Sequence, residues 1–82
     1  MTNKELIEQH FGPGSADEML AKLKEMQKVS NINLFKPSYM GIGIQFACQL
    51  KKEDPTRTIA SATAEGFGMA AIYYYQGGPQ KC

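Results

Sequence analysis

The sequence predicts an α+β fold: two N-terminal helices, an antiparallel β-hairpin or small three-stranded sheet, and a C-terminal helix. Three observations carry this. Capping signals precede apolar residues at helical spacing in the first third. The middle alternates apolar and polar residues with a period of two, and an alanine-rich segment ends at Gly77, Gly78 and Pro79.

The first helix is expected from about Asn3 to Phe11. Thr2 followed by Glu5 fits a capping box, and Gly12 and Pro13 stop the helix. Ser15 followed by Glu18 repeats the capping pattern and opens a second helix, from Ala16 to about Val29. Ala16, Met19, Leu20, Leu23 and Met26 form its apolar stripe, and Glu18 and Lys22 are spaced as an i,i+4 ion pair. "SNINLFKPS" is a connector with room for a short strand, and Pro37 limits its length.

In "YMGIGIQFACQLKK", Ile42, Ile44, Phe46, Cys48 and Leu50 alternate with Gly43, Gln45, Ala47, Gln49 and Lys51. That period predicts a strand with one buried face. "KEDP" is the turn and "TRTIASAT" a second, antiparallel strand rich in β-branched residues. For the final segment two readings stand. A helix from about Ala64 to Gln76, capped by Thr63, packs its small residues closely, whereas "AAIYYYQ" also suits a strand; the helix is preferred. Residues 1–76 form one domain, and 77–82 are expected to be a flexible tail.

Composition narrows the function. Nine Lys and Arg against eight Asp and Glu leave a net charge of +1, which is no footprint for a dedicated nucleic-acid binder. No apolar run approaches the ~20 residues that span a bilayer, and no secretory leader is evident, so a cytoplasmic protein without membrane contact is expected. Two cysteines far apart, Cys48 and Cys82, suit a reducing compartment.

No catalytic constellation emerges. "GFGMAA" imitates the start of a dinucleotide fingerprint, but the chain ends fourteen residues after Gly68, too soon for the second strand and the ribose-binding acid. His10 is the single histidine, so neither metal-ligand spacing nor a Ser–His or Cys–His pair can be assembled from the sequence. The expectation is a protein that is not an enzyme, with no cofactor and no metal.

Binding remains. Tyr73, Tyr74 and Tyr75 cannot all face one core, because successive residues point in different directions on a helix or a strand. With Tyr39 they are the expected partner-binding residues, and Lys51, Lys52 and Arg57 form a polar rim at the hairpin tip. A protein partner is the first reading, and self-association through a strand edge or a tyrosine face is open beside it. The alternative is a small nucleic-acid binder that grips phosphates with the tip cations and stacks bases on tyrosines.

The stretch "YMGIGIQFACQLKKEDPTRTIASATAEGFGMAAIYYYQ", laid out as strand, turn, strand, helix after a capped helix, resembles small phage-encoded accessory proteins, including anti-CRISPR and other anti-defence inhibitors. The resemblance covers about half the chain and rests on architecture and size. It implies a stoichiometric inhibitor that occupies a host protein's surface. The order helix, sheet, helix is also similar to a double-stranded-RNA-binding domain. Where that domain opens its last helix with a lysine-rich segment, this chain has "TAEGFGMAA".

Overall fold

The computed structural model describes residues 2–76 and contains four α-helices: Asn3–Phe11 (α1), Ser15–Gln27 (α2), Pro37–Glu53 (α3) and Ile59–Gln76 (α4). No strand occurs among the described residues. The expected α+β fold is therefore corrected to an all-helical one, and both strands of the expected hairpin are helix. The expected tail, 77–82, lies outside the described residues.

The reason lies in which residues of 39–51 are buried. Tyr39, Gly43, Ile44, Ala47 and Cys48 are the buried set of α3, spaced by four and five as on one side of a helix. Two of them, Gly43 and Ala47, are small and leave no mark on a pattern built from large side chains. The apparent period of two interleaves two helical rows: Ile44 and Cys48 face the core, while Ile42, Phe46 and Leu50 are only half-buried. Pro37 opens α3 at its first turn, where a missing amide proton costs nothing. In "TRTIASAT" alanine and helix packing outweigh the β-branched residues, so α4 starts five residues before the expected Ala64. Its cap is Thr58, whose hydroxyl accepts from Ser61 N at 3.1 Å, and Thr63 is fully buried within the helix.

The N-terminal half follows the sequence more closely. The capping box is complete: Thr2 N donates to Glu5 Oε1 at 2.9 Å and Glu5 N to Thr2 Oγ1 at 3.2 Å. Those bonds hold the Glu5 carboxyl below its ordinary range. Ser15 differs from expectation. It is the first residue of α2, buried, and its hydroxyl donates to Gly12 O at 2.6 Å, while Gly14 in a left-handed conformation takes the cap position. Lys22 pairs with Glu25 at 3.3 Å, not with Glu18. The connector forms no strand. Gln27 organises it, donating to Ile32 O and accepting from Leu34 N, both at 2.8 Å, which sets Leu34 into the core.

The turn at 54–58 folds α3 and α4 into an antiparallel helical hairpin. A Cβ added to Gly66 would lie 2.7 Å from Ala47 N, so the two backbones nearly touch there. One turn away the Phe67 ring fills the space over Gly43. α1 packs on α3 and α2 on α4, and the hairpin is covered on one side by Ile7, Met19 and Leu23. The other side of α3–α4 has no covering element among the described residues.

Candidate protein-interaction face

The helix sends the adjacent tyrosines in different directions. Tyr73 is 47% exposed and stands edge-on to Phe46, with ring centroids 5.8 Å apart. Tyr74 is half-buried on the next side: its hydroxyl shares a 3.0 Å hydrogen bond with Ser38, and Lys36 Nζ lies 5.4 Å from its ring centre. The side chain of Tyr75 lies outside the described residues. Tyr39 is 1% exposed; its hydroxyl donates to Phe67 O at 2.5 Å and its ring packs against Phe67 and Tyr74. Of the four tyrosines expected to meet a partner, Tyr39 is thus a core residue and Tyr73 is the one most open to solvent among the three described.

The tip cations diverge as well. Lys51 Nζ donates to Pro55 O at 2.5 Å and Arg57 O at 3.0 Å, closing the α3–α4 turn, and lies 5.7 Å from the Phe11 ring centre. Arg57 Nη1 donates to Ser61 Oγ at 3.0 Å and Glu65 Oε2 at 2.6 Å. Lys52 is exposed. Asp54 accepts from Thr56 N and Oγ1, which holds its carboxyl below the ordinary range and adds negative charge to the tip. Lys51 and Arg57 therefore hold the turn together, and they do not combine with the tyrosines into one patch.

What surrounds Tyr73 was hidden by the strand reading. Ile42, Gln45, Phe46 and Gln49 of α3 line an open groove of about 360 Å³ with Tyr73 as its other wall. Met69, one helical turn before Tyr73, and Ile72, its immediate neighbour, are 38% and 52% exposed and extend the apolar strip along α4. Three of the five large apolar residues exposed in the described structure thus fall on one turn of α4; Leu20 and Val29, the others, stand elsewhere. The signal was legible as the i,i+4 pairs Ile42/Phe46 and Gln45/Gln49 and the triplet Met69/Ile72/Tyr73. It becomes decisive only once 39–51 is known to be helical.

Chemistry is sparse. His10 Nδ1 bonds Leu6 O of its own helix at 3.0 Å. Cys48 is buried beside Leu6, and burial pushes its thiol up, away from the reactive thiolate. Among the described residues no group of three His, Cys, Asp or Glu could hold a metal ion, and no helix is long and apolar enough to cross a membrane.

Tyr74 offers a pH test of the hairpin's open end. The Ser38 hydrogen bond, then Lys36, pull its phenol below the ordinary value of 10.0. The folded chain thus gives up that proton more readily than the unfolded one. The linked stability is present above the unfolded value and is lost as pH falls through the folded one. Ultraviolet titration should show a phenol ionising early that disappears in Tyr74→Phe and moves up in Ser38→Ala. An unchanged curve in Tyr74→Phe would place the early phenol elsewhere.

Comparison of the chain with models of known protein families, with curated proteins and with solved structures finds no match.

Proposed function

We propose that this protein is a non-enzymatic protein-binding module and that the outer α3–α4 face, centred on the Phe46–Tyr73 pair, is its binding surface. The observation that carries the reading is the concentration of Met69, Ile72 and Tyr73 beside the Ile42–Phe46 groove, on the one side of the hairpin that no described element covers. Aromatic and aliphatic side chains around an open groove, with neutral Gln45 and Gln49 at the edge, have the composition of an interface core. Engagement of Lys51 and Arg57 within the turn favours a protein partner over nucleic acid, because those cations are committed to backbone carbonyls and to Glu65. The likeness to phage-encoded inhibitors rested on a strand–turn–strand–helix layout that α3 and α4 replace, so the proposal extends to binding and not to inhibition of a host.

A photoreactive phenylalanine analogue at position 73 tests the assignment in living cells. Irradiation should give a discrete protein adduct at 73 and none at position 29, where Val29 is 90% exposed but isolated from the groove. No adduct at 73, or equal adducts at both positions, would remove the basis for this face.

A further inference from the structure

Resting on that reading of the face, we infer that its partner is a second copy of this chain, joined across a two-fold axis beside Gln45 and Phe46. A two-fold interface sets each residue near the axis against its own copy, so any charge there meets a like charge. This face is built free of that penalty. Residues 39–50 of α3 and 66–76 of α4 contain no Asp, Glu, Lys or Arg, although the chain carries seventeen of them, nine basic and eight acidic. A partner chosen by opposite charge would find nothing to grip along this length, whereas an identical neutral surface meets no repulsion.

The polar group at the centre is of the self-complementary kind. Gln45 is exposed and has no hydrogen-bond partner among the described residues, and a carboxamide both donates and accepts, so it can pair with its own copy. Gln49 is already oriented by donating to Glu53 Oε2 at 3.0 Å. Charges begin at the two ends: Lys52, Glu53 and the Arg57–Glu65 pair stand at one, and Lys36 stands at the other. Running the two hairpins antiparallel sets these unlike ends together.

The size is sufficient. Helices of 17 and 18 residues span about 26 Å at ~1.5 Å per residue, and two side by side are about 18–20 Å across. That footprint of about 500 Å² in projection, enlarged by side-chain relief, approaches the ~800 Å² of accessible surface per partner in a standard interface. A chain this short also gains from burying apolar surface that its own core cannot reach.

Sedimentation equilibrium of the full chain decides it. The expected mass is twice 9.1 kDa at micromolar concentration, and Ile72→Glu or Tyr73→Glu should weaken the dimer by at least about tenfold with helical circular dichroism unchanged. Val29→Glu, away from the face, should leave the mass alone. Gln45→Cys in a Cys82→Ser background should oxidise to a disulfide-linked dimer faster than Val29→Cys in the same background. A mass of 9.1 kDa at every concentration, or a dimer that survives Ile72→Glu and dissociates with Val29→Glu, overturns the inference. A monomer that still photocrosslinks to a different protein at position 73 refutes the dimer and keeps the interaction face. Absence of both refutes both.

Discussion

Phe67→Ala is expected to lower stability by about 3–5 kcal/mol, the range for truncating a fully buried aromatic ring. Phe67 is 1% exposed and sits where the helices converge: its ring covers Gly43, lies 5.9 Å from the Tyr39 ring centre, and its backbone carbonyl accepts the Tyr39 hydroxyl. Alanine leaves that carbonyl in place and removes only the ring, so the loss reports packing and not the hydrogen bond. A chain of this length has roughly 4–12 kcal/mol in total at ~0.05–0.15 kcal/mol per residue. The variant should therefore be partly unfolded at room temperature or melt at a clearly lower urea concentration than the wild type. Phe67→Leu, which refills most of the volume, should cost less than half as much. Equal urea midpoints for Phe67→Ala and the wild type would show that the helices do not meet around this ring.

The second large effect comes from two glycines two residues apart that should respond with opposite sign. At Gly66 an added Cβ would stand 2.7 Å from Ala47 N, 2.9 Å from its Cα and 3.1 Å from its Cβ. Backbone atoms in the middle of α3 cannot swing aside, so Gly66→Ala must push the helices apart. Overpacking of this kind costs about 1–3 kcal/mol, only partly offset by the ~1 kcal/mol that alanine gains over glycine in a helix. Gly66→Val should exceed that cost. At Gly68 nothing lies within 4 Å of the added atom, and Gly68→Ala should raise stability by the ~1 kcal/mol of helix propensity. Gly43→Ala belongs with Gly66, because its Cβ would meet the Phe67 ring at 2.6 Å. Combining Gly43→Ala with Phe67→Leu should recover part of the loss, since the obstacle is removed with the ring. Denaturation midpoints that move the same way at 66 and 68 would contradict the close approach of α3 and α4.

These same glycines explain why half of the fold was hard to read. A helix that packs through large residues advertises itself: α2 buries Ala16, Met19 and Leu23 at helical spacing, and its position agrees with the stripe. α3 packs through Gly43 and Ala47, and α4 through Ala62, Gly66 and Ala70, residues that a hydrophobic pattern ignores. Large residues then fall on α3 wherever other demands place them. Ile44 reaches the core, while Ile42 and Phe46 reach the outer face; together they imitate the alternation of a strand.

The candidate face was legible in part. The prediction that three consecutive tyrosines cannot share one core needed only the geometry of a polypeptide, and Tyr73 stands exposed while Tyr74 is half-buried. Tyr39 was misjudged because its neighbours Met40 and Gly41 give no sign that a helix turns its ring beneath Phe67. Lys51 and Arg57 were expected at the tip of a β-hairpin; they flank the turn between two helices instead, and their partners are carbonyls and Glu65, which only the folded turn brings within reach.

What the sequence by itself determined is local: the Thr2–Glu5 capping box, the stops at Gly12 and Pro13, and a break in the chain at Asp54 and Pro55. Each depends on groups within a few positions of one another, so a short stretch contains the whole cause. What only the tertiary structure decided is the state of residues 39–63 and the identity of the exposed face. Helix and strand compete closely there, and the choice is made by Ala47 against Gly66 and Gly43 against Phe67. Those contacts join residues about twenty positions apart and exist only when both helices have formed.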